Sequence, residues 1–269
     1  MNATRLVWCL SYRVLALGIV TLLTIPRVRA EMINGNGFDI HFTPSEILDR
    51  SDVDAVADEV EKGIAFLSEF FGKPLPAKVR IEILPRGLAS VVYIEDSRIT
   101  YPASRISRTK RFRDPSIVHD LSILFEHARN EEHKGALTIG LAVYLQAKFA
   151  PGKNIYPTGP APLHEETARV MNVTDWVIPM KETTAVRLDR RKARIGRRLA
   201  MLEQGSFVAY LVESLGKEKF MRLYRGEAFE KVYGMRECEA HRDWFAHLLK
   251  VEPSLSRLSA SAPACPKSG

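Results

Sequence analysis

The sequence predicts an α+β fold in which a small twisted sheet carrying one helix joins a mostly helical half, with a cleft between them. Three observations predict it. Short stretches of alternating apolar and polar residues crowd the region between Gly37 and Tyr101, and one long helical repeat interrupts them. Beyond a basic stretch at residues 105–113, apolar residues recur at helical spacing almost to the end. A hydrophobic content of 46% over 269 residues is enough for one large core and argues against disorder.

The elements follow in order. Arg5 and Arg13 precede the apolar stretch at residues 14–25, and Val28, Arg29 and Ala30 close it. That order reads as a secretory signal peptide over residues 1–30, cleaved near Ala30; an uncleaved N-terminal anchor is the alternative. The apolar core is too short for the roughly 20 residues of a membrane span, and no later stretch approaches that length. A secreted or periplasmic protein is the expectation, with a folded domain over 31–250 and a Ser-, Ala- and Pro-rich disordered tail over 251–269. Without the four arginines of residues 1–30, the formal charge falls from +7 to +3.

Residues 37–42 alternate as a half-buried strand. Val53, Val56, Val60, Ile64, Leu67 and Phe71 then follow helical spacing behind a Ser51 cap, and Gly72 with Pro74 ends the run. Strands are predicted at 78–84, 89–94 and 98–101. Helices are predicted at 115–130, 136–149 and 187–215, with three shorter ones ending near Lys250. The prolines and glycines of 151–162 read as a loop crossing the domain.

Cys238 and Cys265 are the only thiols after residue 30, and an oxidising compartment would let them pair. The arginine-rich runs are Arg105, Arg108, Lys110, Arg111 and Arg113, then Arg187, Arg190, Arg191, Lys192, Arg194, Arg197 and Arg198. They read as solvated faces balanced by acids, or as a surface for an anionic polymer or lipid headgroup. Nucleic acid is not expected of an exported protein whose two basic runs hold a single aromatic residue, Phe112, among the charges. Glu126, His127, Glu131, Glu132 and His133 are concentrated, but Arg129, Asn130 and Lys134 make that stretch a solvated turn. His164, Glu165 and Glu166 are adjacent and would point different ways on a helix. Asn172-Val173-Thr174 is a glycosylation sequon only on a eukaryotic secretory route. There is no Gly-rich phosphate loop, nucleophile-elbow serine or paired-cysteine metal pattern.

One pattern carries chemistry. His119-Asp120-Leu121-Ser122-Ile123 is followed about twenty residues later by Thr138-Ile139-Gly140-Leu141-Ala142. A zinc peptidase needs two histidines one helical turn apart, a carboxylate beside the first, and a third ligand from the next helix. The two segments resemble the His-Glu-x-x-His helix and the Glu-Gly-Leu-Ala-type helix of the gluzincin, or peptidase-MA-like, metallopeptidases. Residues 205–211, 216–220 and 229–234 are similar to the helical C-terminal part of that family, and 38–85 to its N-terminal part. The resemblance implies a gluzincin-like catalytic domain with a cleft. His119 matches the first ligand and Asp120 the general base, whereas Ile123 and Ile139 stand at the other two ligand positions. Isoleucine has no donor atom, so no zinc and no other cofactor is expected, and His119 and Asp120 are read as vestigial.

The reading that follows is a pseudo-metallopeptidase that binds an extended peptide or an envelope protein at a sheet edge, where main-chain hydrogen bonds need no metal. Val91, Tyr93, Arg98, Thr100 and Tyr101 are the candidate groove residues. The alternatives are an active hydrolase with atypical ligands around His119, and an envelope structural or anion-binding module.

Overall fold

The computed structural model describes residues 30–75, 77–87, 89–106, 116–127, 135–153, 155–175, 177, 190–261 and 265. The signal-peptide reading of 1–30, apart from Ala30, lies outside them. So do Arg108, Lys110, Arg111, Arg113, Arg187, Glu131, Glu132 and His133, and the side chains of His127, Arg190, Arg191, Lys192 and Arg194.

The chain is α+β. It opens with a hairpin of β1 (Glu31–Gly35) and β2 (Phe38–Phe42), paired antiparallel from Glu31↔Phe42 to Gly35↔Phe38. Asn36-Gly37 makes the turn, with Gly37 at φ 85°, where a side chain would be strained. Helix α1 (Arg50–Phe71) crosses over to β3 (Val79–Leu84), which lies parallel to β2 with Ile40 opposite Ile81. Strands β4 (Val91–Tyr93) and β5 (Arg98–Pro102) complete the sheet, whose order among the described residues is β1-β2-β3-β5-β4. Strand β5 is parallel to β3, and β4 is an antiparallel edge strand.

Alternation decides which side is dry. Phe38, Ile40, Phe42, Val79, Ile81, Ile83, Ile99 and Tyr101 are buried on one face, and Val53, Val56, Val60, Leu67 and Phe71 form the buried stripe of α1. Each such side chain contributes roughly 1.5–3 kcal/mol on burial. The N-cap of α1 is Asp49 rather than Ser51. Asp52 donates its amide to Asp49 Oδ1 at 2.9 Å and accepts the Asp49 amide at 3.4 Å, and this reciprocal pairing outcompetes a cap two residues later. Gly72 ends the helix at φ 66°, the left-handed residue expected there.

The short α2 (Ala103–Ile106) leads toward the helical half: α3 (Ile117–His127), α4 (Gly135–Phe149), α5 (Leu163–Thr174), α6 (Arg190–Glu213), α7 (Lys217–Tyr224), α8 (Phe229–Tyr233) and α9 (Glu237–Val251). Helix α4 is apolar nearly all round, which suits its place between α3 and α6. Helices α4 and α6 approach so closely that a Cβ on Gly140 would stand 2.7 Å from the Gln204 carbonyl oxygen. A Cβ on Gly205 would run into Val143 in the same way. Helix α1 packs on α3, where Phe71 and Phe125 stack at 5.7 Å. Arg198 turns inward from the second basic run: it hydrogen-bonds the buried Glu166, and its Nε donates to Pro157 O at 3.0 Å.

The segment expected to be a disordered tail is ordered through residue 261. Residues Pro253–Ser261 form a 3₁₀ helix that buries Leu255 and Leu258. Arg257 ties it to α5 through Asn172 O at 2.6 Å, Asn172 Oδ1 at 2.5 Å and Asp175 Oδ1 at 2.8 Å. Two apolar anchors and a three-pronged arginine outweigh the Ser-rich composition. Cys238 and Cys265 are joined as a disulfide, with their Cα atoms 5.3 Å apart.

Candidate functional site

The site begins with a helix end that needs a partner. The amide of His119 is among the first N–H groups of α3, which have no acceptor within the helix. Gln146, fully buried on α4, supplies one: the His119 amide donates to its Oε1 at 3.1 Å. That bond fixes α4 against the start of α3. Asp120 sits in the same first turn, where the helix dipole favours a carboxylate. Its Oδ1 lies 3.1 Å from His119 Nδ1, so a proton on Nδ1 orients the ring and leaves Nε2 as the remaining nitrogen. The Ser122 hydroxyl donates to His119 O at 2.8 Å.

The phenol of Tyr101 reaches this cluster from β5. Burial pushes its pKa well up, and the Asp120 and Glu59 carboxylates push the same way, so Tyr101 keeps its proton. Tyr101, His119, Asp120 and Gln146 thus form one polar island in an apolar core. His119 Nε2 and Gln146 Nε2 are buried without a hydrogen-bond partner among the described residues.

At the positions that the resemblance gives to the second and third zinc ligands, the described residues carry no donor atom. Ile123, one turn beyond His119, is half-buried, and Ile139 packs as a half-buried apolar residue against the core. Among the described residues, no three His, Cys, Asp or Glu side chains converge in a way that could hold a metal. What remains is an imidazole held by a carboxylate, with no nucleophile hydrogen-bonded to its ring among the described residues.

The five predicted groove residues divide between two faces of the sheet. Val91 pairs with Thr100 and Tyr93 with Arg98, so these four share the face turned away from the helices. Val91 is 44% exposed, Tyr93 39% and the adjoining Ile94 40%. Arg98 lies over the Tyr93 ring at 3.8 Å and donates to Glu82 Oε2 at 3.0 Å, a braced cation–π contact. Thr100 is 4% exposed, and Tyr101, at 0%, belongs to the His119 island on the opposite face. The accessible strip is therefore Val91, Tyr93, Ile94 and Arg98. It lies along edge strand β4, against which α3 packs.

Gln146 belongs to none of the motifs in the sequence. It is the lone amide in the run Leu141–Ala147 of an otherwise apolar helix, and that was the available signal.

The chain matches no protein-family profile and no curated protein sequence. Among solved structures it is similar to native leukotriene A4 hydrolase from Saccharomyces cerevisiae, with a TM-score of 0.44 and 11% identity. The match covers 89% of this chain and 40% of that one, so the chain spans about two fifths of that structure's length. No helix among the described residues is long and apolar enough to cross a membrane.

Proposed function

We propose that this is an exported, non-catalytic protein of gluzincin-like design that binds an extended peptide along β4. The observation that carries the reading is an edge strand whose Val91 and Tyr93, with the adjoining Ile94, are all about two-fifths exposed, packed beside α3, whose first turn carries His119. An unpaired strand edge is a template for another strand, and a row of exposed apolar side chains there favours a partner over water. The lack of donor atoms at Ile123 and Ile139 supports binding without zinc-dependent hydrolysis. The Cys238–Cys265 bridge supports an oxidising compartment.

The test is a peptide selected from a random display library in the presence of a chelator, followed by amide hydrogen exchange of the complex. Slowed exchange at residues 91–94, with the peptide recovered intact, is the expected result. Protection elsewhere, or cleavage that chelator and His119→Ala both abolish, would replace the reading with that of a hydrolase.

A further inference from the structure

A second site lies apart from the first. A cavity of about 430 Å³ opens between the C-terminal ends of α4 and α6, the start of α5 and loop residues 151–152 and 158–162. It shares no lining residue with the His119 island or β4, and it falls in the size range of small-molecule pockets, roughly 300–1,000 Å³. Its loop wall is held in place rather than collapsed inward. Arg198 Nε donates to Pro157 O at 3.0 Å, and the Thr158 hydroxyl to Ile155 O at 3.0 Å. Gly159, at φ 74°, lets the backbone close on Glu166, where a Cβ would come within 2.6 Å of Oε1. The cavity is preformed.

Its chemistry is narrow. Ala147, Pro160, Ala161 and Ala209 give it apolar walls. At the mouth Lys148 and Glu213 pair at 2.8 Å, so their charges cancel. Tyr144 is pushed up by burial and by Glu213 and keeps its proton. His164 is held down to about 4 by burial and by its neighbour His247, so its ring is neutral at ordinary pH.

The hydrogen bonds around Ser206 favour one tautomer of His164. Trp244 Nε1 can only donate, and it donates to Ser206 Oγ at 3.0 Å. Ser206 is fully buried, so its own proton needs an acceptor, and His164 Nδ1 stands 2.8 Å away. We assign Nδ1 as the acceptor of the Ser206 proton, which puts the N–H on Nε2. The cavity thus offers donors and apolar wall but no net charge, and an ion taken into it would lose its water without gaining a free counter-charge.

We propose that this cavity binds a small uncharged amphipathic molecule. Its one acceptor oxygen, a carbonyl or hydroxyl, meets the His164 Nε2 proton, and its apolar body lies on the alanine and proline walls. The probe is acetanilide, titrated into the full chain by NMR beside two ions of similar shape, 3-phenylpropionate and phenethylamine. The methyls of Ala161 and Ala209 should shift and saturate with a Kd of about 1 mM or below, with both ions about tenfold weaker or worse. Ala161→Trp should fill the cavity and weaken acetanilide about tenfold at an unchanged melting temperature. If that variant does not fold, contacts between acetanilide and the Ala209 methyl in the wild-type protein decide the matter. The proposal is overturned if acetanilide moves neither methyl, if either ion binds as well, if a folded Ala161→Trp binds it undiminished, or if the methyl contacts are missing.

Discussion

Replacing Gly140 by alanine sets two known effects against each other. Within an exposed helix the change would stabilise by about 1 kcal/mol, because alanine restricts the unfolded chain. Gly140 faces α6 instead, and a Cβ there would lie 2.7 Å from the Gln204 carbonyl oxygen, 3.0 Å from its carbon and 2.8 Å from a Val208 methyl. The methyl could rotate away, but the carbonyl belongs to the backbone of a 24-residue helix and moves only with it. Overpacking of this kind costs roughly 1–3 kcal/mol, occasionally more, and exceeds the propensity gain. We expect Gly140→Ala to lose about 1–2 kcal/mol, read as a fall in Tm of roughly 2–8 °C and in the urea midpoint at unchanged slope. Val208→Ala removes one of the clashing groups and should recover part of the loss in a double-mutant cycle. A Gly140→Ala variant as stable as the parent would show that α4 and α6 do not approach as described.

Three further outcomes follow from other contacts. Reducing Cys238–Cys265, 27 residues apart, should cost roughly 3–4 kcal/mol and about 10 °C in Tm, whereas two freely alkylated thiols in unreduced protein would refute the bridge. His164 ionises near pH 4 when folded but near its ordinary value of 6.5 when unfolded, so between those values the unfolded chain binds the extra proton. Stability should therefore fall as pH drops from about 6.5 to 4, by roughly 1–3 kcal/mol once partial solvent screening is allowed for; His164→Gln should flatten that slope, and an unaltered slope would reject the assignment. Asp49→Ala should cost about 1 kcal/mol by uncapping α1, while Ser51→Ala should cost less than half of that; equal losses would mean the cap is shared.

What was legible in the sequence was what depends on local period. Strands β2 and β3 and helix α1 appear where the alternation and the 3.6-residue repeat put them, because each buries one side and wets the other. Strand β1 escaped notice although Asn36-Gly37 is a strong hairpin signal, since its side chains are mostly exposed and show no apolar stripe. Helix α5 was hidden by Glu166 and Arg169, which look like a solvated surface until Arg198, 32 residues away, is brought beside them. The 3₁₀ segment after α9 was hidden for the same reason, as its anchors Asn172 and Asp175 are more than eighty residues distant. In the candidate site, the motif singles out His119 and Asp120, and the family resemblance points to the strands just before that helix, with Val91, Tyr93 and Arg98 but not Ile94. Tyr101's place on the opposite face required knowing which side of the sheet the helices cover, and Gln146 required the helix packing.

The most direct test is the affinity of a library-selected extended peptide for the wild-type protein and for Tyr93→Ala, measured by calorimetry in chelator. Binding should need no metal and weaken about tenfold when the exposed aromatic ring stacked with Arg98 is removed. Equal affinity for both proteins, or binding that appears only when zinc is restored, would contradict it.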